Sequence, residues 1–197
     1  LWCDYIYLDT DERRRFAQVS HEYLIEQLQY QNFSLTGTLD LNFNHPVKEL
    51  IWTSSLNTQS HTSPASIDNF IGPAEATGVT SQQQIISMGN REPATLAGDF
   101  QLQLNGHDRF KERDFTYFTR TQVWEHHTGY GSLINDDAIA VYSFALKPEE
   151  HQPSGTCNFS RIDNAQLTAN SGSYNVYAVN YNVLRIMSGM GGLAYSN

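Results

Sequence analysis

Basic charge is scarce in this chain. Lys and Arg number 12 against 21 Asp and Glu in 197 residues, a formal net charge of −9. Binding a phosphate backbone takes clustered Lys and Arg, so this balance argues against direct contact with nucleic acid. The basic run Arg13-Arg14-Arg15 sits directly behind Asp9, Asp11 and Glu12. That order is the pattern of a capped helical turn, with Asp9 at the N-cap, Glu12 at the third position and the arginines further along. Cysteine is nearly absent. Cys3 and Cys157 are too few and too far apart for a disulfide framework or a zinc site, and free thiols fit a reducing compartment. No apolar run reaches the roughly 20 residues a membrane-spanning helix needs. The sequence opens on Leu1 inside an aromatic, alternating stretch, which is expected of the C-terminal part of a longer protein.

What is present is polar, uncharged and β-patterned. Charged residues make up only 17% of the chain and aromatics 12%. Trp2–Leu8 alternates and predicts a strand. His21–Gln31 fits helix or strand, and its continuation to Leu35 and Gly37 favours a strand. Leu39, Leu41 and Phe43 alternate until His45-Pro46, where proline marks a strand end or a bulge. Val47–Thr53 resumes, with Leu50 and Trp52 on one face and Ile51 on the other. Ser54–Gly98 loses all periodicity and reads as a long surface loop, with a short hairpin expected at Gln84–Met88. Asp99–Phe110 alternates strictly, and Asn105-Gly106 is a strong hairpin signal. Asp114–His127 is aromatic and predicts a helix capped by Asp114, followed by a polar loop Gly129–Asp137. Strands are expected at Ile139–Leu146, Thr156–Leu167 and Tyr174–Met187, with a turn at Ser171–Ser173. The pattern is all-β: an eight-stranded antiparallel jelly-roll β-sandwich with one or two short helices and long loops.

Catalytic constellations are few. His126-His127 after Glu125, with His107-Asp108 upstream, offers imidazoles and carboxylates, but neighbouring residues on a strand point to opposite faces and cannot share a metal. A surface bend is the simpler reading. Gly189-Met190-Gly191-Gly192 lacks the Lys and the helix of a phosphate loop and suits a tight turn. Ser154-Gly155 has no partner residues for a nucleophile. Arg161 and Asp163 would share a strand face as a lateral ion pair. Asn32-Phe33-Ser34 and Asn158-Phe159-Ser160 match the glycosylation acceptor pattern, making Asn32 and Asn158 the candidate modification sites. No cofactor or metal is expected, and no enzyme activity.

Several stretches carry a resemblance. Asp4–Gln18 (DYIYLDTDERRRFAQ), His21–Gln29 (HEYLIEQLQ), His45–Trp52 (HPVKELIW), Tyr142–Leu167 (YSFALKPEEHQPSGTCNFSRIDNAQL) and Asn180–Asn197 (NYNVLRIMSGMGGLAYSN) resemble major capsid proteins of nucleocytoplasmic large DNA viruses of the algal and giant-virus type. The resemblance implies that residues 1–197 form one jelly roll, the second of a double jelly roll, with the first roll outside this sequence. It also implies a structural subunit that forms homotrimeric, pseudo-hexagonal capsomers in an icosahedral virion shell assembled in the host cytoplasm. Its partners would be further copies of itself and minor capsid proteins, close to an internal viral membrane that the chain does not span. The loop Ser54–Gly98 would then be an outward-facing surface or an intersubunit clasp. A carbohydrate-binding jelly-roll module is the alternative, and it would present Tyr117, Trp124 and Tyr130 as an exposed aromatic cluster.

Overall fold

The cap written in the sequence forms as expected. In the computed structural model, which describes residues 2–34, 37–54, 98–129, 139–169 and 173–195, helix α1 spans Thr10–Gln18. The Asp9 carboxylate accepts the Glu12 N–H at 2.9 Å, and Arg14 pairs with Asp11 one turn away. The expected strand at Trp2–Leu8 does not form. Alternation only proposes a strand, and a ladder partner is what makes one. Among the described residues none pairs with this stretch, and Trp2, Tyr5, Ile6 and Tyr7 stand exposed.

The β-strands are β1 (His21–Ser34), β2 (Gly37–Asp40), β3 (Pro46–Ser54), β4 (Asp99–Leu104), β5 (His107–Asp114), β6 (Ile139–Ser143), β7 (Cys157–Asn158), β8 (Ala165–Ala169), β9 (Ser173–Met187) and β10 (Met190–Leu193). One sheet runs β1-β9-β3-β6, with the short β7 added on β3 and β10 on β9, and the other runs β2-β8-β4-β5. Apart from those two additions, each sheet has four strands, and most neighbours are far apart in sequence. That wrapped order is a jelly roll, as the sequence pattern predicts. The stretch 55–97 of the long loop, with its expected hairpin, lies outside the described residues, as do 130–138 and 170–172.

The chain divides into two compact units. The larger, Leu28–Asn180, holds the core. The other joins Leu1–Gln27 to Tyr181–Asn197, taking in α1, the start of β1, the end of β9 and β10. In the larger unit β3 behaves as its alternation dictates: Leu50 and Trp52 are buried, while Ile51 is half-buried on the other face. In β4, Phe100 and Leu102 point inward and meet Trp52 across the sandwich. Ring centroids of Trp52 lie 5.4 Å from Phe100 and 5.1 Å from Phe118, and Phe100 lies 5.4 Å from Tyr174. The Asn105-Gly106 turn closes β4 onto β5 with both residues at positive φ, 52° and 76°. This is the geometry whose twist suits a two-residue hairpin.

Phe118 comes from a helical segment that the sequence signals in part. Asp114 caps it, accepting the Thr116 N–H at 2.9 Å. The segment then widens into a π-turn, Tyr117–Thr121, before helix α2 (Gln122–His126). The widened turn leads into a buried Gln122, whose side-chain oxygen accepts the Ser143 N–H of β6 at 3.1 Å.

Two expected strands are shorter than their patterns. β6 stops at Ser143 because the N–H groups of Phe144 and Ala145 both turn onto the Lys48 carbonyl, at 2.9 and 3.2 Å. Thr156–Leu167 is not one strand. It contains β7, a 3-10 turn Phe159–Arg161 and β8. Local polar groups divert the chain: Asn158 Oδ1 accepts the Ser160 N–H, and the Ser160 hydroxyl accepts the N–H of His45 at 2.8 Å. His45 itself sits at φ 67°, ahead of Pro46. Between Val47 and Glu49 the ladder to β9 carries an irregularity, so Pro46 does mark both a strand start and a nearby bulge.

Beyond β2 the chain stays extended at 41–44 without being a strand, because side chains pair it. Gln29 donates to the Asn44 carbonyl at 2.6 Å and accepts the Asn44 N–H at 3.0 Å. Gln31 repeats the pattern, donating to the Asp40 carbonyl at 3.1 Å and accepting the Asn42 N–H at 3.0 Å. Each glutamine replaces one rung of a ladder. Gln29→Ala and Gln31→Ala should each lower unfolding free energy by about 1 kcal/mol. Urea denaturation checks this, and an unchanged midpoint in the double variant would remove the rungs from the account.

Candidate functional site

The segment between β6 and β7 folds into a closed loop. Lys147 N–H donates to the Ser154 hydroxyl oxygen at 2.9 Å, and that hydroxyl also reaches the Lys147 carbonyl at 3.2 Å. Pro148 is fully buried, and the Lys48 ammonium donates to its carbonyl at 2.7 Å. Gly155 has φ 145°, and a Cβ there would lie 2.8 Å from the Phe144 carbonyl oxygen. Only glycine fits such an approach. Ser154 is thus occupied in holding the loop.

His127 joins this loop to the sheet. Its Nδ1 lies 3.0 Å from Glu149 Oε1 on the loop, and its Nε2 lies 3.1 Å from Glu49 Oε2 on β3. Glu149 also accepts the Thr128 N–H at 3.1 Å. The hydrogen bond to Glu49 raises the His127 pKa above its usual value, with burial working against it. Thr128, first through its hydroxyl, lowers that of Glu149. His126 turns elsewhere, with Nδ1 3.0 Å from the Leu146 carbonyl. The expected pair of surface imidazoles is therefore corrected: both rings are half-buried at the end of α2 and each is engaged with the loop. The two carboxylates sit on opposite ring nitrogens of His127, so they do not converge on one ion. Among the described residues no three His, Cys, Asp or Glu side chains are grouped to hold a metal. Nothing local in the sequence signals this bridge, because Glu49, His127 and Glu149 belong to three separated segments.

The other candidates fall apart from one another. His107 and Asp108 lie on β5, where Asp108 accepts from Gln103 at 2.7 Å. Arg161 is in the 3-10 turn and Asp163 in the bend after it, so the shared strand face is absent and no ion pair joins them among the described residues. Asn32 is exposed and its amide donates to Asn175 Oδ1. Asn158 is half-buried in β7 with its side-chain oxygen on Ser160. Tyr117 packs on Phe118, centroids 5.0 Å apart, with Arg113 stacked over it at 4.3 Å. Trp124 is exposed, and Tyr130 lies outside the described residues. Tyr117 and Trp124 thus do not form the exposed aromatic platform of a carbohydrate module.

The smaller unit presents a different kind of surface. Ser188-Gly189, both at positive φ (53° and 75°), turn β9 into β10; of the run Gly189–Gly192 expected to turn, only Gly189 does, and Gly191 and Gly192 pair within β10. Met187, Met190, Leu193 and Tyr195 are exposed there, as are Val19, Tyr23 and Leu24. Polar ties fix their backbone: Asn182 donates to Gln27 and to the Tyr195 carbonyl, both at 2.9 Å, and Arg185 pairs with Glu22.

Residues 12–192 match the family model described as "Large eukaryotic DNA virus major capsid protein". The chain belongs to this family. It is 48% identical over 221 residues to the major capsid protein of Pyramimonas orientalis virus, and 43% identical over 240 residues to that of Paramecium bursaria Chlorella virus 1. Both alignments cover 100% of this chain but 48% and 54% of the relatives. The chain spans about half the length of the curated relatives it matches. Among solved structures, the PBCV-1 virus capsid quasi-atomic model aligns at a TM-score of 0.71 and 40% identity, covering 98% of this chain and 56% of that one. The Faustovirus major capsid protein, at 13% identity and a TM-score of 0.55, shares the fold. In this capsid-family member the quoted run KPEEHQPSG is the closed loop just described, and its chemistry is that of loop closure. Gly155→Ala should therefore cost roughly 2 kcal/mol or more of stability, and Ser154→Ala about 1 kcal/mol. Thermal unfolding of the two variants checks the order, and an unperturbed Gly155→Ala would contradict the close approach.

Proposed function

We propose that this chain is the second jelly roll of a major capsid subunit, and that the complete subunit forms homotrimeric, pseudo-hexagonal capsomers of an icosahedral virion shell. Membership of the capsid family, with a span of about half its relatives, carries the reading. The smaller unit supports it independently. Met187 and Met190, register partners on β9 and β10, stand exposed on one face of the hairpin, and Leu193 and Tyr195 are exposed as well, which suits a contact site. The occupant we assign is the other half of the subunit. The larger unit, with its own core, supplies the rigid body that neighbouring copies meet. The loop Ser54–Gly98 faces outward or clasps a neighbour, minor capsid proteins attach to the assembled shell, and assembly takes place in the host cytoplasm near an internal membrane.

The role is structural, without catalysis and without direct contact to nucleic acid, in keeping with the net charge of −9. Glycans at Asn32 and Asn158 belong to the same reading, and intact mass spectrometry of virion-derived protein would find or exclude them.

Electron microscopy and light scattering of the complete subunit test the proposal, with three-fold particles expected. Met190→Asp with Leu193→Asp in that subunit should abolish the particles, and in this chain alone should reduce self-association. Monomeric complete protein, or particles untouched by the double substitution, would overturn the assembly and the assigned occupant respectively.

A further inference from the structure

The Glu49–His127–Glu149 bridge contains a proton count that the capsid role does not use. A neutral imidazole has one N–H and one bare lone pair, so it can donate to only one of two carboxylates. Here both ring nitrogens face carboxylate oxygens, at 3.0 and 3.1 Å. Glu49 is only 7% exposed, and among the described residues neither Glu49 Oε2 nor His127 Nε2 has another partner. Water does not reach those two atoms to relieve a missing proton. The arrangement is complete only with the doubly protonated ring.

The bridge also sits where it can act mechanically. Glu49 is on β3, His127 ends α2, and Glu149 lies in the loop that leads to β7. Among the described residues, the other charged groups near it have partners of their own. Lys48, next to Glu49, sends its ammonium to the Pro148 carbonyl, and Lys147 pairs with Glu150 at 2.9 Å. On the helix, Glu125 stands 4.0 Å from His126, whose ring holds the Leu146 carbonyl. β6 faces Glu49 with Ser143 and β9 with Val179, neither of them charged. Among the described residues the imidazolium is thus a cation set between the sheet carboxylate and the loop carboxylate.

We propose that His127 is a proton-operated clamp, which in its doubly protonated form fastens the loop 144–156 and the end of α2 to β3 and releases them when it loses a proton. A neutral ring keeps one N–H, so it can donate to the sheet carboxylate or to the loop carboxylate but not to both, and the bridge opens. The loop carries Leu146, 73% exposed, and α2 carries Trp124, 77% exposed. The clamp therefore sets how firmly these two apolar side chains are presented.

The direction of the pH effect follows from linkage. The folded pKa of His127 lies above 6.5, so its contribution is fully present below pH 6.5 and is lost as pH rises through the folded value. Glu149, lowered from 4.5, contributes above that value and loses its part as pH falls through its folded pKa. The clamp holds between these limits and opens on the alkaline side.

Hydrogen exchange and histidine-resolved NMR on this chain test it. Between pH 6.5 and the folded pKa, exchange at Thr128, Phe144 and Ala145, corrected for intrinsic rates, should speed up by as much as tenfold per pH unit and then level off. The His127 ring should titrate above 6.5 with both nitrogens protonated below that point. Glu49→Gln should bring the titration down, and His127→Gln should flatten the exchange profile. A His127 ring that titrates at or below 6.5 in the unsubstituted chain overturns the proposal. So does local protection that is independent of pH over this range, and neither measurement needs a variant to fold.

Discussion

The sandwich depends on one contact, the meeting of Trp52 with Phe100 and Phe118. Trp52 lies on β3 in the middle of one sheet, Phe100 on β4 in the other, and Phe118 on the π-turn that closes the space at their side. All three are 0% exposed. Large aromatic side chains contribute most per residue to burial, and tilted or edge-on pairs add to it. Their neighbours follow from this choice. Tyr174 on β9 meets Phe100 edge-on, and Phe110 on β5 meets both Phe118 and Tyr142. Two sheets that share one aromatic cluster need no disulfide, and both cysteines are free.

Around that cluster, small polar groups settle where each strand stops. Serines, asparagines and glutamines take backbone partners that the ladders would otherwise use. Ser154 closes the loop after β6, Ser160 holds the left-handed His45, and Gln122 takes the Ser143 N–H. They act as fasteners for connections that the core does not reach.

Much of this was legible in the sequence, and the reason is local. The Asp9 cap, the Asn105-Gly106 hairpin, the Leu50/Trp52 face and the Ser188-Gly189 turn each depend on residues within a few positions of one another. The failures come from contacts across distance. Trp2–Leu8 has a strand's alternation but no ladder partner among the described residues. The break in Thr156–Leu167 comes from the Asn158–Ser160 turn and from its tie to His45, more than a hundred residues earlier, and the segment's own alternation does not signal that tie. His126-His127 looked like a surface bend because Glu49 and Glu149 are invisible from their sequence neighbourhood. Family membership was legible for a related reason. One of the quoted motifs holds a place, Gly155, where close approach leaves little choice of residue.

The glutamine rungs of β1 have a consequence for the edge of the second sheet. β2 is the outer strand of its sheet, and its extension through 41–44 would otherwise offer a row of open N–H and C=O groups. Such an edge recruits strands from other molecules. Gln29 and Gln31 occupy alternate groups along that row with their own amides. Crowded copies can then touch through side chains and loops without zipping together through their backbones.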